Sequence, residues 1–359
     1  MISLPILEID LNIIKQNYIK IRELTSAEVA ATLKADAYGL GATQIARALM
    51  EENCKTFFVS NFKEALQLKN AFSDLEVYFY NGFTAGEEAV IVSNGISPVI
   101  SSLYQVDLLN NYCKENNIRY KTILHVETGM QRLSMPREEV MILSNNRDRY
   151  SHLDIEYIIS HLASSEEFEN EFNYQQLIAL QEIASHFPSA RCSIANTCGI
   201  LLGKEYHLDM VRPGAGIYGL NLRNDMRFFS NPIRLISCLL QIKYVKRGST
   251  IGYNQTYVAP KDMWIGTTPF GYADGIFRSL SNNGYCYIKG KKIPIVGRIS
   301  MDSINLDLTP LDEAERFIGQ EVELISDNQT PDDLSKFAGT IGYEIITSLG
   351  QRYERKYKK

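Results

Sequence analysis

Residues 32–41 read Thr-Leu-Lys-Ala-Asp-Ala-Tyr-Gly-Leu-Gly. Lys34 closes an apolar run, with an acid, a tyrosine and two glycines close behind it. An ammonium at the end of a buried strand is partly desolvated, which lowers its pKa and makes the neutral amine accessible. A neutral amine there suits a Schiff base. The same stretch also fits a lysine that snorkels to solvent. Other apolar runs end in Glu127-Thr128-Gly129-Met130-Gln131-Arg132, Ser160-His161-Leu162-Ala163-Ser164, Ser193-Ile194-Ala195-Asn196-Thr197 and Val211-Arg212-Pro213-Gly214-Ala215-Gly216. The small residues after the last two are suited to holding a phosphate with backbone N–H groups. A lysine, a phosphate cradle and two strand-end arginines together point to pyridoxal phosphate (PLP).

Side chains far apart in sequence need a frame to bring them together. From about residue 10 to 215, short apolar, often β-branched runs alternate with longer stretches whose apolar residues recur every three or four positions. The runs Val29–Lys34, Thr56–Asn61, Glu76–Asn81, Pro98–Ser101, Lys121–Thr128, Ile155–His161, Arg191–Asn196 and Leu208–Arg212 predict strands. Ala42–Glu52, Lys63–Ala71 and Glu171–Ser185 predict helices between them. Eight such strands fit a (β/α)8 TIM-type barrel, whose catalytic residues sit at the C-terminal strand ends. A doubly wound open sheet is the alternative.

After about Leu220, Arg234–Val245, Gly248–Tyr257, Trp264–Gly271, Gly284–Lys289, Lys292–Val296, Ser303–Leu308 and Gln320–Ile325 are short runs punctuated by Gly, Asn, Asp and Pro. They predict a mostly β C-terminal domain. The expected division is a barrel over 1–228 and a β domain over 229–359. The junction lies in Asn221–Asn231, and the first residues, up to Asp10, are able to pack on the β domain.

Composition narrows the function. The 359 residues are 45% hydrophobic with a net charge of -5, giving no general attraction for nucleic acid or anionic membranes. The basic tail Arg355-Lys356-Tyr357-Lys358-Lys359 reads as a solvated end. Six scattered cysteines without a C-x-x-C pair read as free thiols of a reducing cytoplasm. The N-terminus reads as no signal peptide, no run is long enough to span a membrane, and no metal is expected.

The motifs, taken in order, resemble those of the alanine racemase family. Lys34-Ala35-Asp36-Ala37-Tyr38-Gly39-Leu40-Gly41 is similar to its PLP-lysine motif, with Leu40 in place of the usual histidine. Gly129-Met130-Gln131-Arg132, Val211-Arg212-Pro213-Gly214, Ile251-Gly252-Tyr253, Gly271-Tyr272-Ala273-Asp274-Gly275 and Gly297-Arg298-Ile299-Ser300-Met301-Asp302 follow in the family's order. The resemblance spans nearly the whole chain, from Glu8-Ile9-Asp10 to Arg352.

It implies a PLP enzyme that interconverts L- and D-alanine through an external aldimine and supplies D-alanine for peptidoglycan. It also implies a head-to-tail homodimer in the cytoplasm. Lys34 would hold PLP and act as the base for the D-isomer, with Tyr253 of the partner subunit serving the L-isomer. Arg212 would face the pyridine nitrogen, with Ser193 where many members have histidine. Arg132 would contact the phenolic oxygen of PLP and the substrate carboxylate. Tyr38, Thr197, Gly214 and Ala215, with Asn196 beside them, fall where the phosphate binds, and His161 stands near the cofactor. Met301 would touch substrate from the other chain, and Tyr272 and Asp302 belong to the access corridor, near Arg278 and Arg298. Where some members carry a carbamylated lysine that orients the arginine, this chain has His125. Orientation of Arg132 then falls to His125 or a bound anion. Gln351 replaces a phosphate-contacting tyrosine, leaving that contact to Tyr38. A serine or broader racemase and a related PLP barrel decarboxylase are the alternatives. The decarboxylase's cysteine motif is missing, and a non-catalytic PLP carrier would lack the second domain.

Overall fold

The computed structural model describes residues 5–221 and 227–359. Chain contacts divide them into two units. One comprises Lys15–Ala37 and Gly41–Ile217; the other comprises the N-terminal residues to Ile14, Tyr38–Leu40 and Tyr218–Lys359. Residues 222–226, within the expected junction, lie outside the described residues.

In the first unit the apolar runs form parallel strands in chain order: Ala31–Thr32, Thr56–Val59, Glu76–Phe79, Ser97–Ile100, Tyr120–His125, Leu153–Ile159 and Arg191–Ser193. The eighth, Met210–Val211, pairs in parallel with Glu28–Val29. Glu28–Val29 and Ala31–Thr32 are two halves of one strand, since the Ala30 N–H between them donates to Val211 O. Asp209 N–H to Cys192 O and Arg212 N–H to Ala195 O join the seventh and eighth strands. The barrel therefore closes, as the strand count predicts.

Its strands are buried on both faces, so their sequences show apolar runs rather than alternation. Thr56–Val59 is buried at every position. Ala30, Phe58, Tyr78, Val99, Ile123, Tyr157, Ile159 and Met210 fill the interior, with Tyr80 packed against them. Burying each large side chain contributes about 1.5–3 kcal/mol. Asn61 and Ser102 cap the helices Phe62–Ala71 and Leu103–Glu115 by accepting from Glu64 and Gln105 N–H. These caps fix where each helix begins, with two residues between it and the preceding strand.

The second unit is mostly β. A six-stranded sheet runs Lys291–Pro294, Tyr285–Ile288, Glu321–Ile325, Ile233–Cys238, Ile6–Asp10 and Glu354–Lys358; a three-stranded sheet runs Gln241–Val245, Met263–Thr268 and Ile304–Asp307. Expectation and structure differ in four places. Arg234–Val245 is not one run: Leu239 N–H pairs with Gln320 O and Leu240 N–H with Thr267 O, so the chain changes sheets there. Gly248–Tyr257 keeps only Thr250–Ile251 as a strand before a tight turn at Tyr253–Gln255. Two helices, Pro331–Ala338 and Gly342–Thr347, interrupt the β texture. The first carried a readable signal: Thr330 and Asp333 form a capping box with Pro331 at the first turn. Finally, the basic tail is no loose end, because Glu354–Lys358 pairs in parallel with Ile6–Asp10.

Candidate active site

Lys34 follows the first barrel strand and opens a turn of unusual hand. Ala35, Asp36, Ala37 and Tyr38 all have φ between 53° and 58°. Left-handed backbone costs an L-residue about 1–2 kcal/mol, so the surroundings must hold it. Ala37 N–H donates to Leu33 O at 2.8 Å, and Glu64 Oε1 accepts from Ala35 N–H at 3.1 Å. The other oxygen of Glu64 accepts from Ser60 N–H at 2.8 Å, tying the turn to the second strand's end. Asp36 Oδ1 accepts from Ala42 N–H at 2.7 Å, at the start of Ala42–Glu51. The motif's acid is thus used to begin a helix.

Tyr38–Leu40 belong to the second unit by their contacts. The Tyr38 ring lies 4.4 Å from that of Tyr218 and 6.0 Å from that of Tyr343. Gly39 has φ 85°, and a Cβ there would stand 2.8 Å from Ile346 O. Tyr357 Oη–H donates to Leu40 O at 3.0 Å and Arg355 to Gly39 O at 3.2 Å. The C-terminal strand thus secures the end of the lysine motif.

Lys34 keeps solvent-accessible surface, yet protein crowds its amine. Burial first, then the Arg132 charge, lowers its pKa, and Glu64 works the other way. His161 is half-buried and held well below its usual value by burial, then by Arg212, Arg132, His125 and Lys34. His125 is pushed down to about 3 by burial, then by Arg212 and Arg132, and is neutral at physiological pH. His161 therefore has Lys34, Arg132, Arg212 and His125 around it, and Lys34 lies near Arg132.

Arg212 is only 3% exposed. Its guanidinium donates to Ser193 Oγ and, at 2.5 Å, to Ser160 O, while Nε has no partner. Ser193, fully buried, donates its own hydroxyl hydrogen bond to Met210 O at 2.6 Å. The guanidinium also lies 5.9 Å from the Phe58 ring, and Tyr80 opposes the lowering of its pKa by burial. Thr197 Oγ1 accepts from Gly214 N–H at 3.2 Å and Gly216 N–H at 3.1 Å, which turns its hydroxyl proton elsewhere. Gly214 and Ala215 are buried beside it. Asn196 is spent on capping: its Oδ1 accepts from Gly199 N–H and Ser165 Oγ–H.

Tyr253, Tyr272, Met301 and Asp302 fall in the second unit. Tyr253 is 66% exposed and makes no hydrogen bond among the described residues. It lines an open pocket of about 390 Å³ with Gly252, Arg298, Ser300, Ser303 and Asn305. Tyr272 and Met301, both exposed, belong to segments braced against each other: Tyr272 N–H donates to Ser300 O and Ala273 N–H to Met301 O. Gly271 permits this approach, since a Cβ there would meet Met301 O at 2.0 Å. Asp302 pairs with Arg352, which also reaches Asp274 at 3.1 Å.

The alanine racemase N-terminal domain family matches residues 9–222 and the C-terminal domain family residues 233–357. This chain belongs to the alanine racemase family. The alanine racemase of Rickettsia canadensis (strain McKiel) is 42% identical over 359 residues, covering 99% of this chain and all of that protein. Among solved structures, alanine racemase from Bartonella henselae, with covalently bound pyridoxal phosphate, is similar at 36% identity and a TM-score of 0.95, covering 99% of both chains. Alanine racemase from Streptomyces coelicolor A3(2) is similar at 27% identity and a TM-score of 0.93, covering 99% of this chain and 98% of that one.

Reading the sequence missed several contributors. Tyr80 closes a strand run and could have been picked out by that position; Glu64 sits in a helical stretch and gave no such signal. Ser160 and Gln176 act through bonds that only the fold creates. Fully buried Gln176 accepts from Ala163 N–H and donates to His161 O and Thr128 Oγ1, the last of which bonds Ser160 Oγ. Gln351 is exposed and accepts from Arg355, whereas Tyr343 stands beside Tyr38. The described residues hold no cluster of His, Cys, Asp and Glu arranged for a metal.

Proposed function

We propose that this chain is an alanine racemase that interconverts L- and D-alanine with PLP held on Lys34. The observation that carries this reading is the gathering of Lys34, Arg132, His161 and Arg212 at one barrel's strand ends, in a chain matched by the family over nearly its full length. The residues suit the cofactor. Arg212 is buried with an unpartnered Nε–H, and the Thr197 hydroxyl accepts two N–H bonds while keeping its proton for an anion.

PLP supplies, when bound, an electron sink that acidifies the hydrogen on an amino acid's α-carbon. Lys34 Nζ, with its lowered pKa, takes or returns that proton on one face. Tyr253 Oη of the partner subunit does so on the other, since one base cannot serve both faces. Arg212 has only donors to offer, so whatever nitrogen it faces must accept and stay unprotonated. That limits charge delocalisation and favours prompt return of the proton. Arg132 binds the substrate carboxylate, and Met301 and Tyr272 of the partner subunit close the site. In support of a homodimer, Tyr253, Tyr272 and Met301 are large apolar or aromatic side chains exposed on a single chain. The free thiols of all six cysteines suit a reducing cytoplasm, where D-alanine would be supplied for peptidoglycan. No helix among the described residues is long and apolar enough to cross a membrane.

An amino-acid panel followed by chiral analysis tests the reading. Racemised alanine with no carbon dioxide released is expected. Release of an amine and carbon dioxide would point to a decarboxylase, and a serine rate equal to that for alanine to a broader racemase.

A further inference from the structure

The proposed function gives Arg132 the substrate carboxylate, yet among the described residues nothing bonds its guanidinium. Arg132 is exposed and has no hydrogen bond or ion pair among the described residues. Its place is set by the main chain of the loop that carries it. That loop folds around one carboxylate. Glu127 accepts from the N–H groups of Gly129 and Gln131 (2.9 Å) and from the Ser134 hydroxyl. Burial pushes the Glu127 carboxyl up, but these donors outweigh it and hold the pKa below its usual value. The loop's base is stapled by Glu127 N–H to Met135 O at 3.0 Å and Met135 N–H to His125 O at 2.7 Å. Next to it, Thr128 Oγ1 is pinned to Ser160 Oγ at 2.6 Å. Within this frame Gln131 adopts φ 53°, disfavoured for an L-residue, immediately before Arg132. Gly129 has φ 133°, and a Cβ there would meet the Phe172 ring at 2.4 Å.

We infer that Glu127 is the positioning residue for Arg132: by gathering the loop's N–H groups it forces the turn that aims the guanidinium at the substrate carboxylate. The inference rests on the proposed role of Arg132. It acts through the backbone, since Glu127 and Arg132 form no ion pair among the described residues. It also relieves His125 of that task, because the imidazole makes no hydrogen bond to Arg132 or to the loop among the described residues. The converging donors use both oxygens, Gly129 N–H on Oε1 and Gln131 N–H and Ser134 Oγ–H on Oε2, which an ionised carboxylate supplies and an amide supplies on one side only.

The test uses the PLP-loaded enzyme and its Glu127→Gln variant, with three measurements: alanine kinetics, calorimetric binding of propionate, and the rate of tryptic cleavage after Arg132. Loss of charge-assisted bonds should raise KM and weaken propionate binding by about tenfold, with kcat changed much less. Cleavage after Arg132 should quicken in parallel. An unchanged KM, with or without faster cleavage, overturns the inference, and so does a raised KM with unchanged cleavage. If Glu127→Gln does not fold, Ser134→Ala removes one donor and should show the same pattern at about threefold. Wild-type enzyme that racemises no alanine would instead defeat the proposed function, leaving the cleavage result to judge the loop.

Discussion

Arg212 and Tyr253 are both proposed to serve one reaction, Arg212 at the cofactor and Tyr253 at the substrate, yet the chain treats them in opposite ways. Arg212 is 3% exposed, with its guanidinium donating to Ser193 and Ser160. Tyr253 is 66% exposed, with no hydrogen bond among the described residues to fix its phenol. On the barrel side, Arg212 is held by Ser193 and Ser160, which lie on other strand ends and are themselves buried. The β unit instead presents Tyr253, Tyr272 and Met301 on turns that are well braced in the backbone and open at the tip. A phenol with a reference pKa of about 10 needs nearby charge or donors before it can serve as a base near neutral pH. The difference teaches that the chain fixes Arg212 through its own hydrogen bonds but, among the described residues, supplies none to Tyr253, which is what the proposed role of Tyr253 in a second copy requires.

The largest effects separate the barrel side from the β unit. Lys34→Ala should lose the visible absorbance of bound PLP and at least about a thousandfold in rate. Tyr253→Phe should keep the absorbance and lose racemisation comparably, while solvent exchange of the α-hydrogen from D-alanine survives better than from L-alanine. Mixing the two inactive variants then puts an intact Lys34 opposite an intact Tyr253 in hybrid dimers. Activity should reappear on mixing. Mixtures that stay dead after subunit exchange would mean that both groups act within one subunit.

The two regions also differ in what the sequence disclosed. Barrel strands were legible because burial on both faces leaves continuous apolar runs, as in Thr-Phe-Phe-Val at Thr56–Val59. The sheet change at Leu239–Leu240 was not, because an alternating run looks the same whichever partner it pairs with. Site residues that end strands, such as Lys34 and Arg212, could be picked out by position. Glu64 and Gln176 could not, since their work is to satisfy backbone groups that become neighbours only after folding. The left-handed turn after Lys34 was equally hidden, for Ala-Asp-Ala carries no glycine to announce it.

A smaller effect tests the barrel side alone. His125 falls from an unfolded value of about 6.5 to about 3 in the fold. Below the unfolded value the denatured chain binds a proton that the native chain refuses. Stability linked to His125 is therefore complete above about pH 6.5 and lost progressively as pH falls toward 3. His161, shifted in the same direction, adds to this slope. Urea midpoints of His125→Gln should fall less steeply with acidification than those of the parent. Parallel curves for the two proteins would show that the imidazole is not kept neutral by its surroundings.

The smallest effect concerns how tightly Arg212 is held. Ser193→Ala deletes the oxygen that accepts from the guanidinium and the hydroxyl that donates to Met210 O, in a site with no solvent exposure. Arg212 already has one orphaned N–H, and a second orphan in a buried site costs about 1–3 kcal/mol. Part of that should return when PLP is bound, because a guanidinium facing the cofactor is less free to wander. The variant's loss of stability should thus be larger without PLP than with it, and Ser193→Thr, which keeps an oxygen on Cβ, should recover most of it. Equal losses in both states would detach Ser193 from the cofactor-facing arginine and leave the pair as a structural bond of the barrel, no more specialised than its neighbours.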